Sequence, residues 1–512
     1  MVNKVYSNRI SEYTHENGGR VLILFLLFLL VIYSFLNYGF GAFTVVCCVP
    51  ILVIIILATF RYRMLCFWLL VVVNYFLQWH GLKLPSGIPM SMYNEMLEII
   101  LLVLVIIDAK DAKLERITNL MLLGLFLWCG FCTLEILNNS CGLGINVGAW
   151  YMGTRMMAFQ LLYAFLTFSL YIKNPKILIR YLFIWGSLAL FASFWIWKQA
   201  NIGLTHSEEV WLYGAGSNTH IIQNGTLIRY FSIFSDAANF GIGIASTAVA
   251  FIIFGITSKI KKHRIIFLII GLASAWAMFP TGTRTAIACF IAGFMVYIFL
   301  SKSVKIAVPF TVIFSTFVFI IVFTNIGQGN QQIRRMRSAF NDNDPSSNVR
   351  KINQEAIKSY LKDAPWGLGV GIWNSGGIPT NNKFHKVFST PADSEYVGIW
   401  IRTGVIGLTV FLISNGIMIL GACIIVFFRL KSPSLRGIGA GLTCAMISQQ
   451  VGGYGNMVLF QFPNCLVFYG GLTIVYILPF IEKEWTEWEN KELAKQEEKN
   501  RLKLEQKLAK RV

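Results

Sequence analysis

Charge is scarce in this chain. Only 13% of its 512 residues are Asp, Glu, Lys or Arg, against about 25% in soluble domains, and 55% are hydrophobic. That balance excludes an ordinary water-surrounded globular protein. The apolar runs also lack strict apolar/polar alternation, which excludes a membrane barrel. What remains is a series of apolar runs near bilayer length, and helices satisfy every backbone polar group within the span. The expected fold class is all-α: a polytopic helical membrane protein with about fourteen spans and one large, partly helical outer loop.

Other absences narrow the function. The ten cysteines show no disulfide framework. Cys47, Cys48, Cys66, Cys289, Cys423 and Cys444 sit inside apolar runs, and the Cys129/Cys132 pair has no second pair to complete a metal site. They read as core packing. The outer carboxylates Asp342, Asp344, Asp363, Asp393 and Glu395 are scattered, with no DxD and no ligand cluster, so neither a metal nor a cofactor is expected. No small-residue cleavage site follows the first apolar run, 21–36, so a retained first span is expected. No internal repeat is visible.

The charge that is present is basic, +19 from 44 Lys+Arg against 25 Asp+Glu. Its placement speaks against a nucleic-acid partner. Basic residues fall in alternate connectors, such as Arg61 and Arg63, Lys173 to Arg180, and Lys259 to Arg264. This is the positive-inside pattern. It predicts a multi-pass protein with both termini cytoplasmic. Glycine- and Asn-rich connectors, including 80–94, 138–155, 201–229 and 452–456, then fall on the opposite face. The division is spans 1–11 over 1–325, a large outer loop over 326–401, spans 12–14 over 402–480, and a charged cytoplasmic tail over 481–512. The stretch 327–400, with about 75 residues and no membrane-length apolar run, is long enough to be functional.

Arginine on the outer side opposes the charge bias. Arg155, Arg229, Arg284 and Arg402 all lie there, at span ends. Each can be explained by snorkelling to the interface, but Arg284, in the tight Thr/Gly turn PTGTR, has little other reason to be a cation. A guanidinium donates two parallel hydrogen bonds to phosphate, so several at the lipid surface point to a phosphorylated lipid. Candidate bases are Asp393, Glu395 and His385. Capping of the next helix competes for Asp393 and Ser394. Asp236 and Asn239, in SDAANFG, either start a helix or touch substrate. Trp366, Trp373, Trp400 and Tyr396 could stack on sugar faces or anchor at the interface.

Three stretches, RYFSIFSDAANFG, TGTRTAIA, and APWGLGVGIW followed by DSEYVGIWIRTGVIGL, resemble motifs of the O-antigen ligase and polymerase superfamily. They cover about residues 225–410, and their order around one outer loop is the specific feature. The resemblance implies glycosyl transfer from an undecaprenyl-pyrophosphate-linked glycan to a glycan acceptor. It places that reaction at the periplasmic face of the bacterial inner membrane, with a chain-length regulator as a further candidate partner. It gives Arg229 and Arg284 a pyrophosphate-binding role. At Asp393 the ligase pattern has histidine; polymerases vary there, which favours repeat-unit polymerisation with Asp393 as base. Arg155, Arg402, Asp236, Asn239, Glu395, His385 and Tyr396 are the expected substrate contacts. A ligase acting on lipid A–core is the nearest alternative. A lipid-linked oligosaccharide flippase is the alternative of another class, and it would place cations mid-span rather than at span ends.

Overall fold

The structure is a computed structural model. It describes residues 61–81, 90–107, 113–222, 227–302 and 345–509, with isolated shorter pieces at 18–36, 58 and 308–335. The chain divides into two compact units, Met1–Cys66 and Phe67–Val512. The description below concerns the second, which α1 (Arg63–Phe76) enters.

Apolar runs and caps set the helix limits. After α2 (Met90–Ile107), α3 (Leu120–Leu134) is capped by Asn119, whose side chain accepts from the Met121 and Leu122 amides. A turn of 3-10 helix, Glu135–Leu137, ends it. Next come α4 (Val147–Thr154), a π-helical turn Arg155–Phe159, and α5 (Gln160–Tyr171). The long α6 (Pro175–Asn201) starts with Asn174 as cap and Pro175 in its first turn, the position where a missing N–H costs nothing. A small outer layer follows: α7 (His206–Tyr213), α8 (Ser217–His220), and the two-residue strands β1 (Ile221–Ile222) and β2 (Leu227–Ile228). The strands pair antiparallel, Ile221 opposite Ile228.

Then come α9 (Ala237–Thr257), α10 (Lys261–Ala277) and α11 (Arg284–Leu300). In the outer segment are α12 (Pro345–Tyr360) and α13 (His385–Ser389). The chain closes with α14 (Glu395–Ile424), α15 (Pro433–Gly455) and α16 (Asn464–Ala509). The spans Ala237–Thr257 and Asn464–Leu502 are 83% and 89% buried over their apolar windows, so α9 and α16 form the centre of the bundle.

Among the described residues, six helices are long and apolar enough to cross a membrane, and Arg63–Phe76 and Arg284–Leu300 are shorter apolar helices. The expectation of about fourteen spans counted apolar runs alone. The runs expected at 41–59 and 306–325, and part of 20–37, fall outside the described residues. The run at 154–172 lies in a continuous helical stretch, 147–171, whose π-helical turn divides it into two shorter α-helices. α15 is rich in Gly, Ser and Gln and is buried within the bundle. The tail expected to begin at 481 is a continuation of α16, one helix of 46 residues.

Part of the large outer segment is a folded piece with its own core. Ile357, Leu361, Ala364, Leu368, Ile372, Ile378, Phe384 and Val387 are buried together with Val397 and Ile401 of α14 and Cys141 of an earlier connector. Its Gly-rich turn docks on a kink in α14. Gly404 there has φ 67 and ψ −171, and a Cβ at that position would overlap the Pro365 carbonyl. The kink frees two α14 carbonyls: the Leu368 N–H donates to Ile401 O (2.9 Å) and the Gly369 N–H to Arg402 O (2.8 Å).

Candidate functional site

The turn PTGTR between α10 and α11 is the focus of the polar outer face. Phe279–Thr281 makes one 3-10 turn, and Gly282 follows in the left-handed region (φ 56). Gly282 sits between two arginines, with Arg335 and Arg229 side-chain carbons 3.4 and 3.6 Å from where its Cβ would be. The Arg335 Nε donates to the Gly282 carbonyl at 3.0 Å.

Arg229 is built into this turn. Its Nε donates to Thr281 O (3.2 Å), Nη1 to Thr219 O (2.9 Å) and Nη2 to the Thr283 hydroxyl (3.0 Å). Thr283 in turn donates to Ala237 O at 2.8 Å, which ties the turn to the start of α9. Burial pushes the Arg229 guanidinium below its usual range. The Asp236 carboxylate opposes that shift, while Arg284 and Arg350 add to it. Two further guanidinium groups therefore act on Arg229, and Asp236 is the carboxylate that offsets them there. The N-terminal ends of α9 and α11 lie at the same place, where helix dipoles favour an anion.

Arg350 comes from α12, and that helix also reaches the candidate base. Arg350, Asn353, Ile357 and Leu361 follow one helical stripe. The last two are buried in the outer core, which directs the first two along the same flank. The Asn353 amide donates to Asp393 Oδ2 at 3.3 Å. Asp393 is half-buried with φ 52, a left-handed backbone that costs a non-glycine residue about 1–3 kcal/mol and recurs at functional sites. It precedes the cap position, which Ser394 holds; the Ser394 hydroxyl donates to Gly453 O (3.1 Å) and does not cap.

Arg229, Arg284 and Asp393 are thus linked through α12. Other expected contacts are committed elsewhere. Asp236 caps α9, accepting from the Ala238 and Asn239 amides at 2.8 Å each. The buried Asn239 amide donates to Phe462 O (2.8 Å) and its carbonyl oxygen accepts from Asn464. The Glu395 carboxylate accepts from the Leu459 N–H (3.0 Å). The Tyr396 hydroxyl reaches Gln450 (2.9 Å), and His385 Nδ1 lies 2.7 Å from Ile378 O. Arg402 lies 4.1 Å from the Trp373 ring centre and 2.8 Å from the Met157 sulfur. Arg155, 2% exposed, pairs with Glu95 at 3.3 Å and donates to the Ser91 hydroxyl.

Residues 269–412 match the family model described as O-Antigen ligase. Over these residues the chain is similar to the O-antigen ligase and polymerase superfamily. The match runs from within α10, through PTGTR and the outer segment, into α14. It therefore holds Arg284, Arg335, Arg350 and Asp393, while Arg229 lies before it. No curated protein matches the chain. The superfamily implies a membrane glycosyltransferase-like enzyme acting on lipid-linked glycan in envelope polysaccharide assembly. Sequence reading missed Arg335 and Arg350. The signal was there: they too are arginines in an outer segment, and Arg350 shares the apolar stripe of α12.

His220 holds the start of α9 in place and gives a pH test. Its Nε2 accepts from the Ala237 N–H (3.0 Å), and Nδ1 faces Gly216 O (3.2 Å), which requires the neutral ring. Burial, then Arg229, lowers its pKa from 6.5 to about 4. A lowered folded pKa means that stability is full above the unfolded value and falls as pH drops from 6.5 through about 4. The detergent-solubilised protein is expected to melt at lower temperature at pH 5 than at pH 7.5. His220→Gln, which keeps an acceptor but does not titrate, should flatten that dependence. An equal pH slope in the variant would assign the effect to other groups.

Proposed function

We propose that the protein is a polysaccharide repeat-unit polymerase of the bacterial inner membrane. It transfers glycan from an undecaprenyl-pyrophosphate carrier at the periplasmic face. The observation that carries the reading is the packing of Arg229 and Arg335 on the Gly282 turn that leads into Arg284, with the charge of Arg350 on α12 acting on Arg229 and Asn353 of the same helix bonded to Asp393. Arginine forks suit a diphosphate, and the two helix N-termini add to the same field.

In this mechanism an acceptor hydroxyl oxygen attacks the anomeric carbon. The bond from that carbon to the diphosphate oxygen breaks, and the lipid diphosphate leaves with the electron pair. Asp393 takes the hydroxyl proton. The arginines stabilise charge that grows on the leaving oxygen. Asn353 holds one Asp393 oxygen, and the other has no hydrogen-bond donor among the described residues. Arg335 and Arg350 join Arg284 as candidate diphosphate ligands, and Arg229 shapes the turn as well as adding charge.

A ligase that moves finished glycan to lipid A–core is the second reading, favoured by the description of the matched family. Purified protein given only a lipid-diphosphate-linked repeat unit separates the two. A polymerase yields a ladder of lengthened lipid-linked chains, with chelator present as without. Transfer seen only after lipid A–core is added would establish the ligase. For topology, Ser389→Cys on the exposed face of α13 should react with an impermeant maleimide in spheroplasts, above the parental background. Reaction only after lysis would reverse the orientation.

A further inference from the structure

A second polar cavity lies beside the outer core, away from the arginine turn. It has a volume of ≈ 300 Å³ between the connector after α3 and the Gly-rich stretch 368–379. That is at the small end of the range for small-molecule sites. Glu135, Asn138, Asn139, Asn146 and Trp150 line it.

These side chains are held in place mainly by bonds within the cavity wall. Glu135 is 4% exposed, and the Asn138 amide donates to its Oε2 at 2.8 Å. Its Oε1 has no protein donor among the described residues. Asn139 and Asn146 use their carbonyl oxygens on the Gly144 and Ala149 amides, at 2.9 Å each. Their own amide N–H groups meet no acceptor among the described residues. Trp150 is fixed by its indole N–H to Cys132 O at 2.9 Å. Asn382 bonds Cys141 O at 2.8 Å, which joins the connector to the outer core. The cavity is thus built by bonded walls, with a carboxylate oxygen, amide donors and an aromatic surface left for a ligand.

That set selects a chemical class. The cavity lining holds no Lys, Arg or His to take a phosphate. A wholly apolar ligand would leave the buried Glu135 oxygen without a donor, which is costly. A sugar ring supplies hydroxyl donors for Glu135, hydroxyl acceptors for the asparagine amides, and C–H faces for tryptophan. We propose that this cavity binds a saccharide residue of the acceptor glycan, away from the bond being made. The assignment rests on the glycosyl-transfer reading and deepens it: the arginine turn holds the lipid diphosphate, and this cavity holds the glycan.

The test uses the full-length protein in detergent and a lipid-free, phosphate-free repeat-unit oligosaccharide, released by mild acid from its lipid carrier. Calorimetry should show binding. Glu135→Gln replaces one acceptor oxygen by an amide donor and should weaken binding about tenfold. Leu143→Trp places bulk at the exposed rim of the cavity and should abolish binding without disturbing the wall bonds. Arg284→Lys should bind the oligosaccharide as the parent does. Parental binding by both cavity variants, at parental melting temperature, overturns the site. If Glu135→Gln does not fold, Leu143→Trp decides alone. The transfer reading fails separately: oligosaccharide binding that Leu143→Trp abolishes, in a protein that transfers no glycan, leaves the saccharide site standing and removes the polymerase.

Discussion

Arg284→Lys is expected to slow glycosyl transfer about 100-fold, the size of effect seen when one preorganised electrostatic donor is lost. The substitution keeps the positive charge and changes its shape. Lysine offers a point charge where arginine offers a planar fork matched to two phosphate oxygens. Arg284 is the first residue of α11, so its guanidinium and the positive end of the helix dipole act on the same anion. An interaction made mainly as the diphosphate departs lowers kcat, whereas one made equally to the bound substrate raises KM alone. The loss should therefore appear in kcat. Arg229→Lys makes the contrast. It breaks three bonds that hold the turn, so it should lower stability as well as rate. A parental kcat for Arg284→Lys would take Arg284 out of the mechanism.

Asp393→Asn should have the larger effect, about 10²–10⁴-fold, because it deletes the proton acceptor. The backbone favours this substitution as a clean test. At φ 52 asparagine is among the residues most at ease, and its side-chain oxygen can still accept from Asn353. Fold and expression should survive while repeat units stay single on their lipid carrier. Asp393→Gly is a second control. It relieves the left-handed backbone, so it should melt no lower than the parent, and it too should fail to polymerise. Polymerisation at the parental rate by the Asn variant would leave Asp393 as a loop residue and move the search to the next outer carboxylate.

How far the sequence carried the structure depends on what each feature needed. The ends of α11 were readable because Thr283 and Ser301 bound a plain apolar run. The start of α14 was readable in part: the apolar run begins at 402, while the cap chemistry of Asp393 and Ser394 points to an earlier start, and Ser394 holds the cap position. Glu395 is buried because backbone amides of the 459 turn meet its carboxylate, and that turn is more than sixty residues away. The same distinction runs through the site. Arg229 and Arg284 were legible because they break the charge bias between the two faces. Their joining to Arg350 and Asn353 was not, because it depends on how the outer core orients α12. Asp393 and Asn239 each looked able to serve substrate or structure, and only bond geometry separates them. Asn239 spends its amide inside the protein, whereas Asp393 has one oxygen without a donor among the described residues.

The kink at Gly404 has a consequence for how the protein is assembled. Within a lipid-facing helix, carbonyls without partners cost several kcal/mol. Ile401 and Arg402 lose their in-helix partners at the kink and regain them from Leu368 and Gly369. The last span group therefore cannot settle until the outer piece has folded. The order of synthesis meets this demand, since residues 365–369 leave the ribosome before α14. The outer piece and the start of α14 are thus one folding unit: without the outer turn, the Ile401 and Arg402 carbonyls lose these partners.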